Sequence, residues 1–353
     1  MMQSDRPIFV IGCPRSGTTM LQLMLHAHPR IAVPPETRFM LAAYQRRLNF
    51  GDLDDPTRRH ELAEWLVERR QNRFQDLGLD AAEVTREIVD GPGTLGSALG
   101  IVLRAYAARF GKPRWGDKRP SYFKSVDVLL RLFPDAQFVH LIRDGRDCVA
   151  SLKEMPWYNK DISHAIAIWA EAMDFARDRA PKLPAGSYHE LRYERLTRDP
   201  ETELRGLCDF LGEDFDPAMC EPSRVAGVAV PEHKTWHVNT HEQVTTARSG
   251  SWRDRLKPWE ASLCESVLGD RLEEFGYELS GAPKPSKTQL LAYRQAAAVR
   301  RLTRAKRAAH DRLVRLREPN PVTARLTSAQ LRLAGLPLLA PEKAQDKPVL
   351  VDR

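Results

Sequence analysis

Long apolar runs are missing from this 353-residue sequence, and no stretch approaches the roughly 18 consecutive apolar residues that a membrane-spanning helix requires. The N-terminal residues lack the basic region, apolar core and small-residue cleavage site of a secretory signal peptide. The five cysteines are odd in number and far apart, and no Cys-x-x-Cys pair indicates a metal or redox site. These absences predict a cytoplasmic protein that keeps its thiols reduced.

The overall charge does not identify a partner. The sequence has 54 Lys and Arg against 47 Asp and Glu, a net charge of +7 that favours anionic ligands in general. Eleven of the basic residues and only two of the acids fall between Lys284 and Glu318, so the preceding body of the chain is close to neutral. The charge therefore gives no indication of nucleic-acid binding, and none is predicted.

Short apolar segments, each followed by a helical pattern, recur along the chain. Residues 7–12 and 137–142 are typical of strands buried on both faces, residues 187–193 are a further strand candidate, and residues 30–33 are a shorter one. A helix is predicted at about residues 18–27, and another opens at Asp199 and Pro200. Strands that alternate with helices predict an α/β fold with a central parallel sheet.

Two regions depart from this alternation. Residues 51–111 are charged, helical in periodicity and without a convincing strand. They are predicted to form a helical insertion that covers the edge of the sheet or the mouth of the active site. The main domain is predicted to end at residue 282, where Pro283, Pro285 and Ser286 break the pattern.

The region beyond this break is predicted to be a helical extension. Residues 283–318 form a basic amphipathic helix with one apolar stripe, which consists of Leu291, Ala298, Leu302, Ala305, Ala309, Leu313 and Leu316. The stripe should contact something apolar or acidic. Its own domain, a second copy in a homodimer, and peripheral contact with an anionic membrane all stay open. Residues 319–353 are predicted to be a proline-containing tail without fixed structure.

The clearest chemical motif follows the first strand, in the loop GCPRSGTT from Gly12 to Thr19. A glycine-rich turn between a strand and a helix exposes backbone N–H groups and the positive end of the helix dipole, which together attract anions. The glycine spacing is that of a nucleotide P-loop, but Thr18 stands where a kinase or ATPase has the lysine that reaches the terminal phosphates. The loop therefore predicts an anion site and disfavours an ordinary kinase.

Two motifs together resemble those of the sulfotransferases that use 3′-phosphoadenosine 5′-phosphosulfate (PAPS). The 5′-phosphosulfate loop of that family is similar to Arg15, Ser16, Gly17, Thr18 and Thr19, and its 3′-phosphate site is similar to Arg143, Asp144, Gly145, Arg146 and Asp147 with Ser151. Arg143 at a strand end and Ser151 about two helical turns on can converge on one phosphate. The resemblance implies PAPS as the donor and 3′,5′-adenosine diphosphate (PAP) as the product.

The resemblance covers about residues 7–277 and implies a P-loop-type three-layer α/β/α domain over residues 1–282. Tyr193 opens a segment that is similar to a strand-to-helix segment of the family, whose tyrosine approaches the adenine. Ser249, Gly250 and Trp252 lie in a segment similar to the late loop that closes over the 3′-phosphate. The resemblance thus implies that these four residues contact the donor.

Glu36 is the predicted general base. The resemblance here is to the protein-tyrosine and carbohydrate sulfotransferases, in which a glutamate shortly after the first helix serves as base. In the cytosolic small-molecule branch a histidine lies two residues beyond a lysine, whereas Pro120 occupies that place after Lys118. Lys118, which is expected at the end of a strand, and Arg15 in the loop are predicted to stabilise the leaving group. Simpler interpretations stay open, with Glu36 in the first turn of the next helix and Lys118 on the surface beside Asp117.

The predicted reaction is sulfuryl transfer from PAPS to a hydroxyl on a carbohydrate, a lipid, a small metabolite or a protein tyrosine. No metal is predicted, because the histidines form no evident ligand set. Two alternatives stay open. The first is a non-catalytic nucleotide-binding protein recruited through the basic helix, against which Glu36 and Lys118 count. The second is a kinase for a small alcohol, against which the missing P-loop lysine counts.

Overall fold

A parallel β-sheet forms the centre of the molecule. The computed structural model describes residues 4–229 and 244–325. In these ranges the sheet has five strands in the order β2-β3-β1-β4-β5, and all neighbouring pairs are parallel. The strands are β1 Ile8–Gly12, β2 Ile31–Ala32, β3 Arg114–Lys118, β4 Gln137–Ile142 and β5 Tyr188–Arg192. The predicted α/β fold with a central parallel sheet is confirmed.

Helices cover both faces of the sheet. In chain order they are α1 Thr18–Ala27, α2 Phe39–Gln45, α3 Pro56–Glu68, α4 Ala81–Asp90, α5 Leu95–Arg109, α6 Val126–Leu132, α7 Gly145–Lys153, α8 Ile162–Asp178, α9 Tyr193–Arg198, α10 Pro200–Leu211, α11 Ala226–Ala229, α12 Trp252–Arg255, α13 Pro258–Glu274 and α14 Lys287–Arg315. None of the helices in the described ranges is long and apolar enough to cross a bilayer.

The two faces of the sheet belong to different clusters of buried side chains. Because successive strand residues point to opposite faces, Ile8 and Val10 pack with side chains of α1 and α10, whereas Phe9 and Ile11 pack with those of α5 to α8 and α13. Both faces of β1 are therefore dry, which explains its uninterrupted apolar sequence.

The carboxyl ends of the strands meet at one edge of the sheet. Gly12 pairs with Leu141 near the end of β4, and Val10 pairs with Lys118 at the end of β3. In an open parallel sheet, the loops that follow these ends surround a crevice in which ligands bind. The loop after β1, Lys118 and Arg143 are thereby brought to one place.

Residues 51–111 contain α3, α4 and α5 and no strand. α5 is buried along most of its length and packs against β2 and β3. Its apolar residues belong to the larger cluster of the sheet. This region therefore covers the β2 edge of the sheet.

The chain beyond residue 282 contacts the domain at several points. α14 packs against α8, and the segment that follows it returns to the domain. There, the N–H of Gly96 donates to the carbonyl O of Val322 at 2.8 Å, and the N–H of Ala324 donates to that of Leu132 at 2.8 Å. The first residues of the predicted tail are therefore packed, and those beyond Arg325 lie outside the described residues.

Candidate active site

The loop between β1 and α1 presents backbone donors to a cavity. α1 begins at Thr18 without a side-chain cap, so the N–H groups of its first turn have no partner within the helix. Gly17 adopts the left-handed conformation with φ 95°, and a Cβ at this position would lie 2.6 Å from the ring of Tyr193. Only glycine fits this turn, which leaves the helix N-terminus open to an anion.

Arg15, Arg143 and Ser151 converge beside this loop. Arg143 donates from Nη1 to the carbonyl O of Arg15 at 3.0 Å, and its guanidinium lies 4.3 Å from the ring centre of Tyr193. Arg15 Nε donates to Ser151 Oγ at 3.1 Å. Burial and the neighbouring Arg143 lower the pKa of Arg15. An anion bound between the two guanidinium groups would offset this cost.

Asp147 fixes the late loop next to Arg143. Its carboxylate accepts the N–H groups of Gly250 and Trp252, each at 2.8 Å, and the hydroxyl of Ser251 at 3.1 Å. Arg143 Nη2 lies farther away, 3.8 Å from Asp147 Oδ2, and donates instead to the carbonyl O of Arg248 at 2.5 Å. Asp147 therefore positions the loop, and Arg143 still faces the cavity.

Four of the predicted donor-contacting residues do not line the cavity: Ser16, Ser249, Gly250 and Trp252. Ser16 is fully buried behind the loop, and Trp252 is covered by Arg146, whose guanidinium lies 4.2 Å from its ring centre. Arg248 lines the cavity in their stead. Their contact with the donor stays a prediction.

Glu36 lies in the wall of the same cavity. Its Oε2 is 3.6 Å from the Nζ of Lys118. The segment before it is held by α1, because Gln22 Nε2 donates to the carbonyl O of Pro34 at 2.8 Å. The next helix, α2, begins at Phe39 and has no acid in its first turn. Glu36 therefore does not serve that helix as a first-turn carboxylate.

Lys118 ends β3 with its side chain only 4% exposed. Its Nζ lies between Glu36 and the Oγ1 of Thr19, which is 3.4 Å away. Burial lowers the pKa of Lys118, although Glu36 and Asp117 raise it. Lys118 is therefore a buried cation aimed at the cavity, and it is not a surface lysine.

Asp117 connects the elements that carry these two groups. Its fully buried carboxylate accepts the O–H of Tyr122 at 2.5 Å, the N–H of Lys118 at 2.9 Å and the O–H of Thr37 at 3.3 Å. Burial raises the pKa of Asp117 to about 6. Thr37 follows Glu36 in the chain, so Asp117 joins the end of β3 to the segment of the predicted base.

The cavity has a volume of about 920 Å³, which suits a nucleotide together with an acceptor. Arg38, Arg73 and Arg119 also line it, and sequence analysis did not single them out. None of the three forms an ion pair with any residue that the structure describes. Partial burial and the neighbouring Arg73 lower the pKa of Arg38. Arg38, Arg73 and Arg119 come from three separate segments, so no local motif identifies these arginines as a group.

Comparison with known proteins identifies the family. A sequence model described as the sulfotransferase family matches residues 7–217, more than half of the chain. The chain belongs to the sulfotransferase family. It is 27% identical over 288 residues to protein-tyrosine sulfotransferase A of Caenorhabditis elegans, covering 78% of this chain and 68% of that protein. It is 30% identical over 301 residues to the nodulation protein NoeE of Sinorhizobium fredii, covering 77% of this chain and 66% of that protein.

A solved structure supports the same assignment. The sulfotransferase domain of the Synechococcus PCC 7002 olefin synthase superimposes with a TM-score of 0.55 at 25% identity, covering 79% of this chain and 97% of that domain. This sulfotransferase uses PAPS as its donor, as its two motifs predicted. The uncapped α1 and the Arg15–Arg143–Ser151 cluster are two separate groups of anion-attracting atoms beside the cavity. Among the described residues, no group of three or more acidic, His or Cys side chains could hold a metal ion.

Proposed function

We propose that this sulfotransferase moves the sulfuryl group of PAPS to an acceptor hydroxyl with Glu36 as the general base. The hydroxyl oxygen attacks sulfur in line with the bond to the 5′-phosphate. Glu36 takes the hydroxyl proton, the sulfur–oxygen bond to the phosphate breaks, and PAP leaves. The observation that carries the proposal is the position of Glu36, 3.6 Å from buried Lys118 in the wall of one cavity.

The donor is oriented by groups on the sheet edge. The first turn of α1 holds the 5′-phosphosulfate through the N–H groups of Thr18 and Thr19, and Arg143 with Ser151 holds the 3′-phosphate. Tyr193, which supports Gly17 and Arg143, lies where the nucleoside passes. Lys118 and Arg15 stabilise the negative charge that develops on the leaving phosphate, and their burial strengthens that interaction.

We also propose that the acceptor carries an anionic group near its hydroxyl. Arg38, Arg73 and Arg119 line the cavity near Glu36 and Lys118. None forms an ion pair with a described carboxylate, and burial and Arg73 lower the pKa of Arg38 by more than the nearby Glu36 raises it. Clustered cations in a partly desolvated site are stabilised by a ligand of opposite charge. A carboxylate, phosphate or sulfate on a carbohydrate, lipid, small metabolite or tyrosine peptide supplies that charge.

Donor binding separates the proposal from its alternatives. Calorimetry of the full chain should show PAP binding and much weaker ATP binding, because the loop lacks the lysine for a triphosphate. Preference for ATP, or indifference to the 3′-phosphate, would support a kinase. Strong PAP binding without PAP release from PAPS in the presence of any hydroxyl acceptor would support a non-catalytic protein.

The role of Glu36 has its own test. Glu36→Gln should lower turnover by roughly 10²-fold or more and leave PAP affinity unchanged, because it removes the proton acceptor and keeps the shape of the side chain. Turnover is measured as PAP release from PAPS with 4-hydroxyphenylacetate as acceptor. The matched control is Glu201→Gln, an exposed carboxylate on α10 that pairs with Arg205. Equal turnover in both variants excludes Glu36 as the base.

We propose a cytoplasmic location, supported by the five cysteines, all of which are free thiols in the structure. A homodimer stays a prediction. The exposed side of α14 offers a surface for a partner, and the residues on that side narrow the choice of partner.

A further inference from the structure

α14 presents its apolar stripe to solvent. The α14 stripe is the set predicted from the sequence: Leu291, Ala298, Leu302, Ala305, Ala309, Leu313 and Leu316. Leu302 and Leu313 are each 63% exposed, and Leu316 is 84% exposed. Among the described residues, five of the eight most exposed large apolar side chains lie on α14 or its C-cap. Such a concentration on one helix marks a contact surface.

The other side of α14 attaches the helix to the domain. Ala297 is buried, and Tyr293 packs against the main cluster of the core. Arg300 donates to both carboxylate oxygens of Glu171 on α8, at 3.0 and 2.6 Å, and Arg304 lies 3.3 Å from the same group. The α14 stripe therefore does not pack on its own domain, which removes one of the three partners that the sequence left open.

The cations of α14 are in large excess over its acids. The helix contains nine Lys and Arg and a single acid, Asp311. Six of these cations form no ion pair with a described residue: Lys287, Arg294, Arg301, Lys306, Arg307 and Arg312. At 100° per residue, Arg294, Arg301 and Arg312 follow one edge of the stripe and Lys306 follows the other. These four residues are the edge cations.

We infer that α14 docks this sulfotransferase on an anionic lipid surface. The leucines of the stripe enter the boundary between headgroups and acyl chains, and the edge cations extend toward the lipid phosphates. The stripe extends from Leu291 to Leu316, roughly 38 Å at 1.5 Å per residue, which suits a flat surface.

A second copy fits the same surface poorly. Two α14 helices laid stripe to stripe would bring their edge cations together, and paired helices of this kind normally place acids at such edges. Asp311, the single acid, already pairs with Arg47 at 2.7 Å on the domain side. Lipid phosphates supply the missing negative charge.

The helix is also connected to the rim of the active-site cavity. Arg300 Nη1 lies 2.6 Å from His164 Nε2, and His164 Nδ1 lies 2.9 Å from the hydroxyl of Tyr158. The neighbouring Trp157 lines the cavity and is 49% exposed. The side chains of His164 and Tyr158 therefore connect this rim to α14. Docking through α14 keeps the rim close to the docked helix.

The test is co-sedimentation of the full chain with vesicles of phosphatidylcholine alone or mixed with phosphatidylglycerol. We expect binding only to the anionic vesicles, weakened by salt. Leu302→Gln with Leu313→Gln should weaken it about tenfold or more by removing apolar contact. Arg301→Gln with Arg312→Gln should do the same by removing charge. The control, Leu279→Gln with Arg205→Gln, makes the same kinds of change on exposed side chains outside α14 and should bind as the native protein does.

PAP binding, measured by calorimetry, shows that each variant is folded. It also keeps the test of membrane docking separate from the test of the proposed reaction. Three results overturn the inference. They are equal binding to neutral and anionic vesicles, no binding to either, and a dimer in analytical ultracentrifugation that the leucine variant abolishes. An acidic protein partner would also give no binding to anionic vesicles.

Discussion

Asp117 is the residue on which the geometry of the proposed reaction centre depends. Its carboxylate receives hydrogen bonds from the end of β3 and from Thr37, so it holds Lys118 and the Glu36 segment in register. Burial raises its pKa from 3.8 to about 6, so it is mostly ionised at neutral pH. The folded state then binds more protons than the unfolded state between about pH 4 and 6, and Asp117 lowers stability as the pH rises through this window.

Asp117→Asn removes that charge and keeps the shape of the side chain. Because a negative neighbour raises the pKa of Lys118, its loss should move the alkaline limb of the kcat–pH profile to lower pH. Turnover at neutral pH should fall by about tenfold, with PAP affinity unchanged. Tyr122→Phe removes one hydrogen bond and keeps the charge, so its alkaline limb should stay in place. Superimposable profiles for native protein and Asp117→Asn would show that Asp117 is only a packing residue.

The arginines near Glu36 predict a charge preference in the acceptor. Arg38→Gln should raise KM about tenfold or more for 4-hydroxyphenylacetate, because a charge-assisted hydrogen bond is lost. The neutral analogue 4-ethylphenol should show no such change, and PAP affinity should stay constant. Both acceptors carry a phenol group, so the comparison between them controls for the chemical step. An equal loss for both would show that Arg38 does not contact the anionic group.

The residues at strand ends were predictable, and this arginine cluster was not. Lys118 ends a strand, Arg143 directly follows one and Gly17 lies in the loop after β1, each within a short motif, and parallel strands bring such ends together. Arg38, Arg73 and Arg119 meet only because the chain between β2 and α3, the helical region and β3 all border one cavity. These three arginines come together through tertiary packing, which cannot be inferred from their spacing in the sequence.

Among the elements, β3 shows how weak the sequence pattern of a buried strand can be. Its residues Arg114–Lys118 are all buried, yet three of the five carry charge, so neither an apolar run nor an alternating pattern is visible. The charges are tolerated because each has partners. Arg114 pairs with Glu213 at 3.1 Å and donates to the carbonyl O of Leu211, while Lys118 faces Glu36. The partners lie far away in sequence, so the burial of this charged strand becomes visible only in the fold.

α14 is the converse case, in which the element was predictable and its orientation was not. Its apolar stripe and its start at Ser286, which forms a capping box with Gln289, follow from local sequence. Which side packs on the domain is decided by Glu171 on α8, which attracts Arg300 and Arg304. Two cations therefore face inward and the leucines face solvent, which amphipathicity alone does not predict.

At the scale of the whole molecule, the chain after α14 closes the structure. Glu318 pairs with Arg131 at 2.7 Å and with Arg47, and its side chain is 9% exposed. Val322 is buried, and the hydroxyl of Thr323 donates to the carbonyl O of Arg131 at 2.9 Å. This segment ties the end of α14 to α6 and to the residues after α2. The predicted domain boundary at residue 282 stays a prediction, but the residues beyond it help to hold the domain together.

Glu318→Gln should therefore destabilise the whole domain. Removing one carboxylate leaves Arg47 and Arg131 buried or half-buried with weaker partners, and we expect the free energy of unfolding to fall by about 2 kcal/mol at neutral pH. Urea denaturation measures the difference. Glu61→Gln, which disrupts an exposed i,i+3 pair with Arg58, serves as the control and should leave the midpoint unchanged.

The pH dependence of this difference tests its electrostatic origin. Burial opposes ionisation of Glu318, but the hydrogen bonds from Arg131 and Arg47 outweigh it and hold its pKa below the ordinary glutamate value. The stabilisation is therefore fully present above that ordinary value and is lost as the pH falls through the lower pKa of the folded state. The native protein and Glu318→Gln should converge in stability in that acidic range. A gap that persists there would show that the segment is held by Val322 and its backbone hydrogen bonds, and that the ion pairs contribute little.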